Sequence, residues 1–185
     1  LPGISAISTI EPGIEKGSSK IILNVLEDDL LNGSLTFDNH GNRYTGQNRT
    51  TIKVNINNPS KIGDKLLFTK TFNDEDNFDF SQFDYETPIG YSGLKAFASA
   101  SRLDFEIGKE LTTDPVSKGN ANTYEIGLTY PVQRTNNQSV FFKTSIERKE
   151  IYNETTGVLT NDKTIENTKI GFEFEGKNTF QKSSI

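Results

Sequence analysis

Along most of the chain, apolar side chains recur at every second position. Ile170, Phe172 and Phe174 alternate with Gly171, Glu173 and Glu175; Ile52, Val54 and Ile56 alternate with Thr51, Lys53 and Asn55; Tyr124, Ile126, Leu128 and Tyr130 alternate with Glu125, Gly127, Thr129 and Pro131. A period of two sends successive side chains to opposite faces of a strand, so each strand has one apolar face and one wet face. Eight such segments are expected, near 33–43, 47–57, 61–72, 78–87, 93–108, 121–133, 140–151 and 168–176. Two shorter strands, 4–10 and 20–26, precede them and are joined by a Pro- and Gly-rich turn at 11–19. The segment 93–108 alternates poorly, with Ala96, Ala98 and Ala100 set against Phe97, Ser99 and Ser101.

The connections alternate as well. Asn58-Pro59-Ser60 and the stretches 88–92 and 134–138 read as short turns, whereas 73–77, 109–120 and 152–167 read as longer polar loops; 40–46 is intermediate. Short turns on one rim and long loops on the other, joining strands of about ten residues, is the pattern of a membrane-spanning antiparallel barrel. A soluble β-sandwich or a solvent-filled up-and-down barrel gives the same list of strands.

Composition removes several functions. The apolar fraction is 32 %, with thirteen Phe and six Tyr, and no apolar run reaches the length of a membrane helix. The net charge of -5 is spread along the chain, so no basic stripe follows a phosphate backbone and nucleic acid is not an expected partner. With no cysteine and one histidine, His40, the chain cannot build a thiolate or histidine metal cluster. His40 lies between Asn39 and Gly41 and reads as a turn residue. The run 73–77 lacks the glycine and the glutamate of a calcium loop. No nucleophile elbow or phosphate-binding glycine loop occurs. Asp104 and Glu106 share a face, but spacing alone cannot make them a glycosidase pair. Catalytic, cofactor-binding and metal residues are therefore expected to be absent.

Five strings, in order, resemble the two-partner secretion transporters, the outer-membrane family that exports haemolysins and filamentous adhesins. Leu1-Pro2-Gly3, Glu11-Pro12-Gly13 and Lys20-Ile21-Ile22-Leu23-Asn24-Val25 are similar to the end of the family's second polypeptide-transport-associated (POTRA) domain. The string from Gly33 through Asp38, Asn39, Gly41 and Tyr44 to Gly46 resembles its first barrel strand and hairpin. Asn58-Pro59 with Gly63-Asp64 resembles the following periplasmic turn, and Tyr85, Pro88, Gly90 and Gly93 resemble the next. The resemblance is strong over 1–108 and fainter afterwards.

It implies a mainly β fold in which 1–28 ends a POTRA domain and 29–185 forms the N-terminal half of a transmembrane barrel. It also implies an extended exoprotein and the outer-membrane bilayer as partners, no enzymatic activity, and a location in the outer membrane with the N-terminal segment in the periplasm. Residues Lys20, Ile21, Ile22, Leu23, Asn24 and Val25 are the candidate edge for substrate binding by strand addition. In the same picture, folding of the exported chain outside the cell gives passage its direction. A barrel-assembly factor of the same superfamily is the other membrane reading.

Turn chemistry accounts for the motif residues without catalysis. Asn39, Gly41 and Gly46 are expected to supply positive backbone angles, Asp38 to accept from nearby amides, and Pro59 and Pro88 to end ladders. The stretch departs from the family in one respect: none of its five arginines precedes a glycine, so the Val-Arg-Gly-Tyr-like motif of a later barrel loop has no counterpart. The expectation is that the start of the natural chain is missing and that about half of a sixteen-stranded barrel is present. A sheet left with open edges in lipid costs several kcal/mol per unpaired backbone group.

Overall fold

A computed structural model describes residues 3–107, 117–135 and 137–176. The chain forms ten strands: β1 (Ile4–Pro12), β2 (Ser19–Glu27), β3 (Leu31–Asp38), β4 (Arg49–Asn57), β5 (Lys65–Asn73), β6 (Phe78–Ile89), β7 (Leu94–Glu106), β8 (Ser117–Arg134), β9 (Gln138–Thr155) and β10 (Val158–Gly176). β1 and β2 pair as an isolated hairpin; β3 to β10 form one antiparallel sheet in which every strand lies beside its sequence neighbours. The eight expected barrel strands and the two preceding strands are all present. The stretch expected as a loop at 109–120 lies mostly outside the described residues, as do Leu1 and Pro2.

Register shows how side chains are sorted. Tyr85, Ala98, Ile126 and Ile146 lie directly opposite one another across β6 to β9, so they share a face. The same face carries Leu35, Val54, Phe68, Phe83, Leu128, Phe142, Ile170, Phe172 and Phe174. Among the described residues no apolar side chain is buried, and the most enclosed are polar: Asp64, Asn73 and Ser145. A soluble sandwich would bury this face against a second sheet. Here there is one layer, and Ile126 and Phe174 remain 63 % and 75 % exposed. Such a face is stable only against hydrocarbon, and an antiparallel ladder satisfies the backbone there. The fold is thus part of a transmembrane barrel preceded by a hairpin.

The border of the apolar face runs obliquely. One row across the sheet reads Phe37, Thr50, Phe72, Asp79, Asp104, Asn120, Tyr152, Asp162. Its outward side chains are aromatic at the β3 end and charged at the β10 end, where the apolar face begins again only at Ile170. From Asp162 to Ile170 is roughly 26 Å at ~3.3 Å per residue, against roughly 34 Å across the strands at ~4.8 Å each. That slope of about 38° falls inside the strand tilt of membrane barrels, about 35–45°. The tilt is therefore written into where greasy side chains stop on each strand.

Beyond that border the outward face is ionic: Arg148 pairs with Glu150 (2.9 Å) and Glu166 (3.8 Å), and Lys118 with Glu154 (3.6 Å). These pairs correct one expectation. The segment 152–167 is not a long loop but the top of a hairpin, turning through Thr156 and Gly157 at φ 52° and 74°. Positive φ at both positions is the geometry of a two-residue hairpin turn. The strands continue past the membrane into water, where neither face needs apolar residues, so hydrophobic alternation could not reveal them. With a four-residue connection at 74–77 as well, loop length does not alternate as expected.

Other boundaries move as well, β8 for instance starting at Ser117. β3 stops at Asp38, because a 3-10 turn at Arg43–Thr45 follows. β5 starts at Lys65, because Lys61 and Gly63 take positive φ (61° and 88°) in the preceding turn. Pro88 does not end the β6 ladder: it lies inside β6 opposite Lys95, past the last β5 partner, Glu86. Its missing amide hydrogen costs nothing on the side where no strand sits.

Placement of a charge on each face tests this sorting. Ile126→Lys in the full-length protein in lipid should cost about 2–4 kcal/mol in reversible unfolding, whereas Ser101→Lys, on the wet face, should cost under about 1 kcal/mol. Equal costs would remove the assignment of faces.

Candidate functional site

The wet face of the sheet forms a wall of paired charges and hydroxyls. Asp84 Oδ1 accepts from Gln82 (2.7 Å) and Ser99 Oγ (2.7 Å), and Lys95 donates to Glu86 (2.7 Å). Farther along, Lys169 bridges Glu125 (3.3 Å) and Glu147 (2.7 Å), while Ser145, 3 % exposed, donates to Glu125 (2.6 Å). Both signs of charge alternate over the wall, so it is hydrated yet presents no large field of one sign. Phe97 explains why the 93–108 segment alternates poorly. It lies on the wet face opposite Gly127, where a side chain on the glycine would come within 2.5 Å of the ring, and Lys143 Nζ sits 5.0 Å from its centroid. The glycine makes room for a flat aromatic, an arrangement that pins register. Ala96, Ala98 and Ala100 take the outward face.

At the rim beside the β1–β2 hairpin, the 58–64 turn gathers four of the motif residues. Asn58 takes φ 55°, its Oδ1 accepts from Gly63 N (2.6 Å) and its N donates to Asp64 O (2.7 Å). Pro59 occupies the second position of a turn closed by Lys61 N to Asn58 O (3.1 Å), where its fixed φ fits. Asp64 has no exposed surface; its Oδ1 accepts from Ser60 N (3.1 Å) and its Oδ2 from the Tyr85 hydroxyl (2.9 Å). Burial by itself raises the Asp64 pKa, but hydrogen bonds from Ser60 and Tyr85 outweigh it and hold the carboxyl below its ordinary value. Tyr85 thus ties this turn to β6. Gly90 and Gly93, at φ 64° and 83°, flank the next turn, and a side chain on Gly93 would come 2.8 Å from Pro131 Cγ.

On the opposite rim, 39–48 folds over the β5–β6 turn. Asp38 Oδ1 accepts from His40 N (3.0 Å), and Asn42 caps the 3-10 turn by accepting from Tyr44 N (2.8 Å); the Tyr44 ring is exposed. Of the three residues expected at positive φ, only Gly46 has it (86°). Asn39 and Gly41 do not; Gly41 is needed because a side chain there would overlap Gly46 O. Asn73, 3 % exposed, closes the loop: its Nδ2 donates to Thr45 O (3.1 Å) and its Oδ1 accepts from Phe78 N (3.0 Å). The Arg49 guanidinium stacks 3.7 Å over Phe78. Neither Asn73 nor Arg49 is picked out by the sequence, since an asparagine opening an acidic run carries no local sign of burial.

Residues Lys20 to Val25 lie in β2, which pairs with β1 through Glu11↔Lys20 and Ala6↔Val25 and has no second neighbour among the described residues. His40 is exposed, and no group of three potential metal ligands occurs among the described residues.

Comparison with known proteins agrees with this geometry. The family model described as haemolysin secretion/activation protein ShlB/FhaC/HecB matches residues 17–185. The heme/hemopexin transporter protein HuxB of Haemophilus influenzae, strain Rd, is 23 % identical over 163 residues, and so is its counterpart in strain 86-028NP. The match takes in 88 % of this chain but 29 % of each relative, so the chain spans under a third of their length. Among solved structures, CdiB from Escherichia coli superposes with a TM-score of 0.80 at 19 % identity, over 94 % of this chain and 33 % of that one. CdiB from Acinetobacter baumannii gives 0.75 at 19 % identity, over 95 % and 35 %.

The Asp64–Tyr85 bond predicts a measurable acid sensitivity. Tyr85→Phe leaves a buried carboxylate oxygen unpaired and should cost about 1–3 kcal/mol. A depressed pKa contributes stability that is present above the unfolded value of about 3.9 and is lost as pH falls through the lower folded value. The stability gap between wild type and Asp64→Asn should therefore shrink between about pH 4 and the folded value; a gap independent of pH would contradict the assignment.

Proposed function

The chain belongs to the ShlB/FhaC/HecB haemolysin secretion/activation family, and from that premise we propose that it is part of an outer-membrane pore that passes an unfolded exoprotein from periplasm to cell surface. Members of this family are two-partner secretion transporters of the outer membrane and are not enzymes. In this reading, residues 1–28 end a periplasmic POTRA domain and 29–185 build the N-terminal half of the barrel. The observation that carries it is the inverted sorting of side chains, with apolar residues outward and paired charges and hydroxyls on the other face. A polypeptide moving along that wall meets water and mutually neutralised charges, so nothing retains it.

The hairpin supports the receiving step. β2 offers a strand edge to an extended substrate, and strand addition takes its affinity from backbone bonds that are indifferent to sequence. The motif residues Asp38, Asn39, Gly41, Tyr44, Gly46, Asn58, Pro59, Gly63, Asp64, Tyr85, Pro88, Gly90 and Gly93 shape the two rims, not a chemical step. The HuxB relatives are named for heme/hemopexin; the passenger of this chain is proposed only as an extended exoprotein.

Photo-crosslinking during export tests the path. A crosslinker at Lys143 or Glu125 of the full-length protein should trap the exported polypeptide, whereas one at Leu128 or Ile146 should trap lipid only. Capture from the Leu128 and Ile146 side, or from neither, would rule the proposal out.

A further inference from the structure

Between the hairpin and the barrel lie only residues 28–30, and every one of them is held. Asp28 N donates to Gly3 O (3.0 Å), and the Asp28 carboxylate accepts from Ser5 Oγ (2.8 Å). Leu30 O accepts from Asn57 N (2.7 Å), which extends the β3–β4 ladder one step past Leu31 and Ile56. Asp29 O accepts from the Asn57 side chain, Nδ2 at 3.0 Å.

The Asn57 amide is itself oriented, because its Oδ1 accepts from Asn55 Nδ2 at 2.8 Å, two positions back on the same wet face of β4. On the hairpin side Gly3, at φ +72°, is pressed against the same point: a side chain there would lie 3.0 Å from Asn57 Cβ and 3.3 Å from Asn58 Cβ. Both ends of the hairpin therefore converge on one barrel residue. Among the described residues strand pairing adds no second tie, since β1 and β2 pair with each other alone.

We infer that Asn57 is the positioning residue of an elbow that aims the β2 edge at the mouth of the barrel. This deepens the export proposal and rests on the reading of Lys20 to Val25 as the receiving edge. A single joint with backbone and side-chain ties on one residue fixes direction as well as distance. A tethered edge delivers its cargo at an effective concentration that falls when the tether can swing. The role differs from that of the Asp64–Tyr85 bond, which holds the neighbouring turn to β6 and touches neither residues 28–30 nor Gly3.

Distances between spin labels at Lys16, in the hairpin turn, and Lys61, on the barrel rim, test it in the full-length protein in lipid. Wild type should give one narrow distribution. Asn57→Ala, which removes the tie to Asp29, should broaden it, and so should Gly3→Ala, which intrudes from the other side. Export should fall by about tenfold in both as effective concentration at the mouth is lost, with the unfolding midpoint of the barrel unchanged. Narrow distributions in both variants would overturn the elbow; broad distributions with wild-type export would overturn its positioning role. Failure of wall crosslinks in the wild type would count against the export proposal alone, while the distance result would still decide the elbow.

Discussion

A sheet one layer thick has no interior in which to hide its apolar side chains. Antiparallel ladders satisfy its backbone, but Ile126, Ile146, Phe172 and their neighbours point away from the wet face with nothing among the described residues to cover them. Hydrocarbon is the environment in which that face is stable, and most other features answer to it. Within the apolar belt the period of two sends most charge to the other face, and the outward pairs Lys70 with Asp79 and Arg102 with Asp104 lie along its border. The oblique border from Phe37 to Ile170 matches the tilt at which strands cross a bilayer. Where strands outrun the membrane, the outward face turns to ion pairs such as Arg148 with Glu150 and Glu166.

The wet face and the rims follow from the same inversion. Facing water, the wall can carry Lys169 between two glutamates and Asp84 between an amide and a hydroxyl without the large desolvation cost of a closed core. The most enclosed side chains are not on an apolar core but at the rims and wall, where Asp64 and Asn73 fasten turns and Ser145 bonds Glu125. In the proposed pore, rigidity at the rims matters because loops there border the passage, and the proposed Asn57 elbow lies among them.

Much of this was legible in the residues, because strand periodicity is a local property. The hairpin and the sheet strands are readable from alternation and turn chemistry, least clearly at 93–108, while Asn58, Pro59, Gly63 and Asp64 as a group are marked by the family resemblance. What was not legible depended on long-range partners or on water. The β9–β10 tip is mostly polar, and its few apolar residues, Tyr152, Val158, Leu159 and Ile165, do not alternate, so it reads as a loop. Asn73 is buried by the 39–48 loop, whose Gly46 lies 27 positions earlier in the chain. Gly41 is required by a neighbour's carbonyl and not by its own φ, and Pro88 is tolerated because β5 has already ended opposite Glu86. Phe97 fits on the wet face because Gly127, its partner on β8, leaves room for the ring, which alternation within 93–108 does not show.

The most direct measurement is a spin-label accessibility scan along β8, from Thr123 to Tyr130, in the full-length protein in bilayers. Labels at Tyr124, Ile126, Leu128 and Tyr130 should collide with oxygen dissolved in lipid, and labels at Thr123, Glu125, Gly127 and Thr129 with a water-soluble nickel complex. An accessibility profile with no period of two, or with the nickel complex favouring Ile126 and Leu128, would contradict a lipid-facing apolar face around a watery passage.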